Sequence, residues 1–183
     1  MTRLLQVAGL AALATAASLV LPVSAFADSH TIKMRDDCDP TTFNLAVPAT
    51  PPTCVGDGKT LFDDFIGQLI DHKFAAKWRF SPDHVTIEAG QTLRLENRGG
   101  ETHSFTPVSQ FGGGGIVPPI NFVLFGTFTP PVFFTGPHTF VLSGGRTTIE
   151  TSTLAPGQPH LFICAIHPWM HETVIVENDD DDD

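Results

Sequence analysis

The chain has 183 residues, enough for one domain of ordinary size with extensions, and its 20 acidic and 10 basic side chains give a net charge of −10. Such a balance excludes unaided nucleic-acid binding, because a phosphate backbone is held by clustered Lys and Arg. Three cysteines, an odd number, leave at least one thiol to be explained.

Met1-Thr2-Arg3 is followed by an uncharged stretch from Leu4 to Val23, and Ala25-Phe26-Ala27 has the small-x-small form of a signal peptidase site. These features predict a secretory signal peptide over residues 1–27, cleaved after Ala27, and hence a periplasmic or secreted protein. The alternative is a retained membrane anchor, since the uncharged stretch is nearly long enough to span a bilayer. Cleavage leaves no segment for membrane insertion and removes Arg3, taking the net charge to −11. It also makes Asp28-Ser29-His30 the new N-terminus. A free amine, two amides that can deprotonate and His30 at the third position form a square-planar nitrogen set, a candidate for a second, weak Cu(II) site.

Residues 28–76 read as an N-terminal extension. The part from 28 to 57 is rich in Pro, Thr and Asp and reads as irregular structure. Cys38 and Cys54 lie close together within it, so in an oxidising compartment a disulfide between them is expected. Thr60-Leu61-Phe62-Asp63 then reads as a helix start with Thr60 as the cap. Phe62, Phe65, Ile66, Leu69 and Ile70 form one apolar face of that short helix.

From Lys77 the period falls to two. Val85 and Ile87 alternate with polar residues, Leu93 and Leu95 do so after a turn at Ala89-Gly90, and Thr102–Val108 reads as a further strand. Thr147–Ser152, His160–Cys164 and Thr173–Val176 add three more. Short strands separated by Gly, Pro and Asn predict an all-β fold, an antiparallel Greek-key β-sandwich over residues 77–178. Between them, residues 102–145 carry no Asp, Glu, Lys or Arg. Phe111, Phe122, Phe125, Phe128, Phe133, Phe134 and Phe140 fall in this stretch, and core covering is the expected role for most of them. The run Asp179–Asp183 predicts a disordered, solvated acidic tail.

With Cys38 and Cys54 paired, Cys164 is the leftover thiol, and in an oxidising compartment it persists if buried or metal-bound. It begins the string Cys164-Ala165-Ile166-His167-Pro168-Trp169-Met170, set between two apolar strands. A thiolate, an imidazole and a thioether on one tight loop are the mixture that copper cycling between Cu(I) and Cu(II) requires. A second imidazole must come from elsewhere, and His103, where a strand begins after a turn, can supply it. His72, His84, His138 and His160 have no ligand spacing and read as surface or packing residues, and His171, directly after the loop, reads as a surface neighbour. Taken singly, Cys164 or His167 would read as structural, and Met170 as a core side chain.

The spacing Cys-x-x-His-x-x-Met, with Pro after the His, resembles that of amicyanin-like and, more broadly, plastocyanin-type cupredoxins. Phe80-Ser81-Pro82, Val85-Thr86-Ile87, Gly90, Asn97 and His103 extend the resemblance over about residues 77–178. It implies one type 1 copper held by His103, Cys164, His167 and Met170, with Met170 as the axial thioether. It also implies that His167 is the imidazole nearest solvent, through which electrons pass to docked protein donors and acceptors.

The expected function is therefore an exported single-electron carrier, a monomer and not an enzyme. A copper-binding protein for storage, delivery or resistance is the alternative, although three Met in all is few for exchangeable ligands. A multicopper oxidase would need His-x-His pairs, a dinuclear copper centre would need two Cys on the ligand loop, and a hydrolase would need a nucleophile motif; none occurs.

Overall fold

The computed structural model describes residues 29–178. The expected signal peptide, with its expected cleavage site, and the acidic run Asp179–Asp183 lie outside them. Strands β1 (Ser29–Arg35), β2 (Arg79–Ser81), β3 (His84–Glu88), β4 (Thr92–Asn97), β5 (His103–Val108), β6 (Thr139–Val141), β7 (Arg146–Glu150), β8 (Pro159–Ile163) and β9 (His171–Glu177) form two sheets. The first has the order β2-β1-β4-β7 and the second β3-β9-β8-β5-β6.

Alternation explains how the sheets meet. Leu93 and Leu95 of β4 and Val85 and Ile87 of β3 point inward with polar residues between them, and Val174 and Val176 of β9 point inward on either side of half-buried Ile175. Together with Ile32, Met34, Phe105 and Phe162 they build one core. Phe80 and Phe105 bridge the sheets, their rings 5.6 Å apart edge to face.

Three expectations change. First, the segment before residue 57 is not irregular throughout: β1 lies inside the first sheet, paired with both β2 and β4. The segment also contains helix α1 (Pro40–Ala46), with Asp39 accepting the Thr42 N–H at 2.7 Å. The disulfide is present, with Cys38 and Cys54 Cα atoms 6.2 Å apart. Second, the sheets are mixed. The β1–β4 and β3–β9 pairs are parallel, which the intervening crossover segments permit. Third, Thr60 does not cap helix α2 (Phe62–His72), whose N-cap is Leu61. The Thr60 hydroxyl instead bonds the Asp37 carboxylate at 2.8 Å, while the hydroxyl of Thr42 receives the Phe62 N–H at 3.1 Å. The apolar face of α2 buries Phe65 and Leu69, but Ile70 remains exposed.

The uncharged insert also departs from expectation. None of Phe111, Phe122, Phe125, Phe128, Phe133, Phe134 and Phe140 is buried, and Phe122, Phe125, Phe128 and Phe140 are exposed. Its anchor is polar. Helix α3 (Pro118–Phe125) starts with proline and ends at Gly126, whose φ is +71°. Within it, buried Asn121 accepts the Gly115 N–H at 2.8 Å and donates to the Gly115 carbonyl at 2.9 Å. Asn121→Ala is expected to lower stability by about 2 kcal/mol, because it strands buried backbone partners. Chemical denaturation checks this, and a loss below a few tenths would show the clamp to be idle. Among the described residues, no helix is long and apolar enough to cross a membrane.

Candidate metal centre

The site stands at one end of the second sheet, where neighbouring strands bring distant residues together. His103 opens β5, Cys164 follows β8, and Thr106 pairs with Ile163 in the antiparallel ladder between them. The loop after Cys164 closes on itself: the Cys164 N–H donates to the Met170 carbonyl at 3.1 Å, and the Met170 N–H to the His167 carbonyl at 2.9 Å. The turn before β5 is equally determined. Buried Asn97 donates to the carbonyls of Glu101, at 2.7 Å, and Val141, at 2.8 Å, while its own oxygen accepts the Gly99 N–H at 2.9 Å.

The result is a convergent donor set. Cys164 Sγ lies 3.8 Å from His103 Nδ1 and 3.7 Å from His167 Nδ1, and all three donor atoms fall within 4.8 Å of one another. The three side chains are at most 1% exposed. Metal bonds of about 2.0 Å to nitrogen and 2.3 Å to sulfur, meeting near 120°, would span roughly 3.7–3.8 Å. These residues therefore fit one ion in a trigonal His₂Cys plane. Met170, also 1% exposed, sits at the end of the same loop.

Electrostatics prepare the donors. Burial opposes ionisation of Cys164, but hydrogen bonding and charge from His103 and His167 outweigh it and hold the thiol well below its usual value. The sulfur also receives the Ser104 N–H at 3.3 Å. Burial likewise disfavours the charged form of His103, yet its bonds to Asp36 and Cys164 raise its pKa to about 9. For Asp36, burial is outweighed by His103 and by backbone N–H groups, and its pKa falls to about 2.

Sequence reading missed the groups around the donors. Asp36 Oδ2 accepts from His103 Nε2 at 2.8 Å, and both side chains are fully buried. Glu101 Oε2 lies 3.5 Å from His167 Nε2 and accepts the Trp78 indole N–H at 2.6 Å. The Ser104 hydroxyl accepts the Ala165 N–H at 2.7 Å, tying β5 to the ligand loop. The insert adds the Ile116 N–H, which donates to the Ala165 carbonyl at 2.8 Å. Gly115 makes this close approach possible, because a Cβ there would run into the Ala165 carbonyl oxygen.

His167 is not the exposed edge that the resemblance implied. Only 1% of it is exposed. The Phe65 ring from α2 stands edge-on to it at 6.5 Å, and Trp169 lies 5.4 Å away. It forms part of the wall of an apolar crevice of about 290 Å³ between the helices, bordered by Phe62, Phe65, Ile120, Val123 and Glu101. His30 lies in β1, in register with Leu93, so a square-planar site there would have to draw Ser29 and His30 out of the sheet.

No family model matches this chain, and no curated protein does. Solved structures do resemble it. A purple cupredoxin from Nitrosopumilus maritimus shares 13% identity at a TM-score of 0.40, over 81% of this chain and 99% of that one. Amicyanin from Paracoccus versutus shares 19% identity at a TM-score of 0.36, over 56% of this chain and 76% of that one. The Cu(I) structure of an amicyanin point mutant shares 14% identity at a TM-score of 0.36, over the same shares of 56% and 76%. At these scores the likeness adds no weight to the site, whose donors stand on their own geometry.

Proposed function

We propose that this chain is an exported electron carrier with one copper ion, which His103, Cys164 and His167 would hold with Met170 as a further ligand. The observation that carries this reading is the buried thiolate flanked by two imidazole Nδ1 atoms at 3.7 and 3.8 Å. Bound copper would supply one-electron exchange between Cu(I) and Cu(II), a cycle suited to mixed sulfur and nitrogen donors. The protein's part is to hold those donors still. His103 is fixed by a carboxylate, Cys164 by the Ser104 and Met170 backbone, and Met170 by the closure of the loop. A site that moves little between redox states needs little reorganisation.

Burial of every donor favours a carrier over a storage or delivery protein, since exchange with a recipient needs accessible ligands. Electrons reach the centre through its cover, Phe65 and Trp169. The protein donor and acceptor dock on the adjoining apolar surface of the insert, which includes Phe122, Phe125 and Phe128.

The test compares the mature chain with Cys164→Ser after addition of Cu(II). An intense visible thiolate-to-copper band is expected in the first, bleached by ascorbate and absent from the variant. A colourless wild type, or one with an ordinary nitrogen-and-oxygen copper spectrum, would make Cys164 a structural thiol.

A further inference from the structure

We infer that Asp36 is a positioning residue for the metal centre, holding the His103 ring in place and lowering the reduction potential of the ion that it binds. The inference rests on the copper reading above and adds a residue outside the expected ligand set. Asp36 closes no salt bridge with Lys or Arg among the described residues; its partners are N–H groups. Oδ1 accepts from Cys38 at 3.2 Å and Gly100 at 2.9 Å, and Oδ2 accepts from Glu101 at 3.0 Å and His103 Nε2 at 2.8 Å. The carboxylate is thus bound on both oxygens and fully buried.

Its place is built by the fold. Parallel pairing runs β1 beside β4 as far as Met34 and Asn97, which delivers the chain just beyond β1 to the turn ahead of His103. Gly99 lies directly against the carboxylate, where any Cβ would collide with it. Two consequences follow for His103. The proton is kept on Nε2, so the Nδ1 lone pair faces Cys164, and the ring cannot rotate without breaking a buried charged hydrogen bond. A negative charge behind the imidazole also stabilises the more positive state of a bound ion. Glu101 stands similarly behind His167 but at 3.5 Å, with the same oxygen engaged by Trp78, so its influence is weaker.

The experiment measures reduction potentials of the copper-loaded wild type, Asp36→Asn and Asp37→Asn, together with proton NMR of the diamagnetic Cu(I) wild type. Asp36→Asn keeps the shape and one acceptor oxygen but removes the charge. It is expected to shift the Cu(II)/Cu(I) equilibrium at least tenfold toward Cu(I), a rise of about 59 mV for a one-electron couple. Asp37→Asn removes the same charge one residue away, from a side chain that bonds Thr60, and should leave the potential nearly unchanged. The wild-type His103 Nε2 proton should resonate far downfield, as expected for a short bond to a carboxylate. Absence of that resonance overturns the assignment even if Asp36→Asn does not fold. So does an unchanged potential in a folded Asp36→Asn, or an equal rise in Asp37→Asn. A wild type without a thiolate-to-copper band overturns the copper reading itself, and this inference with it.

Discussion

Glu172→Met is expected to stabilise the metal-free protein by several kcal/mol near pH 8.5 and by much less near pH 4. Glu172 sits on the inward face of β9 with Val174 and Val176, and among the described residues neither carboxylate oxygen has a hydrogen-bond partner. Burial, reinforced by the charge of Asp83, raises its pKa from 4.5 to about 8. Below pH 4.5 the group is neutral in both folded and unfolded chains, and its burial costs least. Between 4.5 and about 8 the unfolded chain ionises while the folded chain keeps the proton. Folding therefore takes up a proton, and stability falls as pH rises through that window. A shift of this size corresponds to a loss on the order of 5 kcal/mol, at about 1.4 kcal/mol per unit. Methionine has a similar length and no group to ionise, so the variant should escape the decline. Urea titrations of both proteins at pH 4 and pH 8.5, with the disulfide intact, decide the matter. Equal gains at the two pH values would show that Glu172 does not titrate on folding.

Glu172 illustrates which parts of the molecule could be read from the sequence. Strands β3 and β4 alternate apolar and polar residues, so their existence and inward faces were legible, while β9 was legible from its short run Val174-Ile175-Val176. Glu172 occupies an inward position ahead of that run, in line with Val174 and Val176, and nothing local marks its burial as costly. Strand β1 was not legible, because Ser29–Arg35 offers only Ile32 and Met34 as inward apolar residues and lies beside a Pro- and Thr-rich segment. Missing β1 meant missing Asp36, since only the β1–β4 pairing carries that carboxylate to His103.

The ligand loop was legible because its spacing is local and chemically restrictive. His103 required the added expectation that a strand start would face that loop. The cover over His167 depends on how α2 packs, and periodicity shows that α2 has an apolar face without showing where the face goes. The insert failed in the opposite sense. Absence of charge suggested a core role for its Phe residues, whereas Asn121 and the glycines fix the segment through backbone hydrogen bonds and leave rings such as Phe122 and Phe128 stacked at the surface, 4.6 Å apart. The punctuation of α3, proline at its start and Gly126 at its end, was available as a signal.

Removing the disulfide by Cys38→Ala with Cys54→Ala is expected to cost about 3 kcal/mol and also to disturb the metal centre. The first effect belongs to the unfolded chain: a bridge between residues 16 apart limits its freedom by roughly that amount. The second is local to the native state. The Cys38 N–H donates to Asp36 at 3.2 Å, and Cys54 forms a bridge with Glu101. The Val55 N–H also donates to the Gly100 carbonyl at 2.9 Å. A Cβ on Gly100 would meet Cys38 Sγ at 2.6 Å, so the turn before His103 lies directly against the sulfur bridge. The staple therefore braces both carboxylates that stand behind the imidazoles. Loss of the bridge should leave His103 less well held and broaden or shift the thiolate-to-copper band, beyond lowering the denaturation midpoint. Denaturation curves and visible spectra of the double variant separate the two effects. A lower midpoint with an unchanged spectrum would confine the bridge to the unfolded chain. A changed spectrum under conditions where the variant remains fully folded would show that the bridge is part of the scaffold that sets the site.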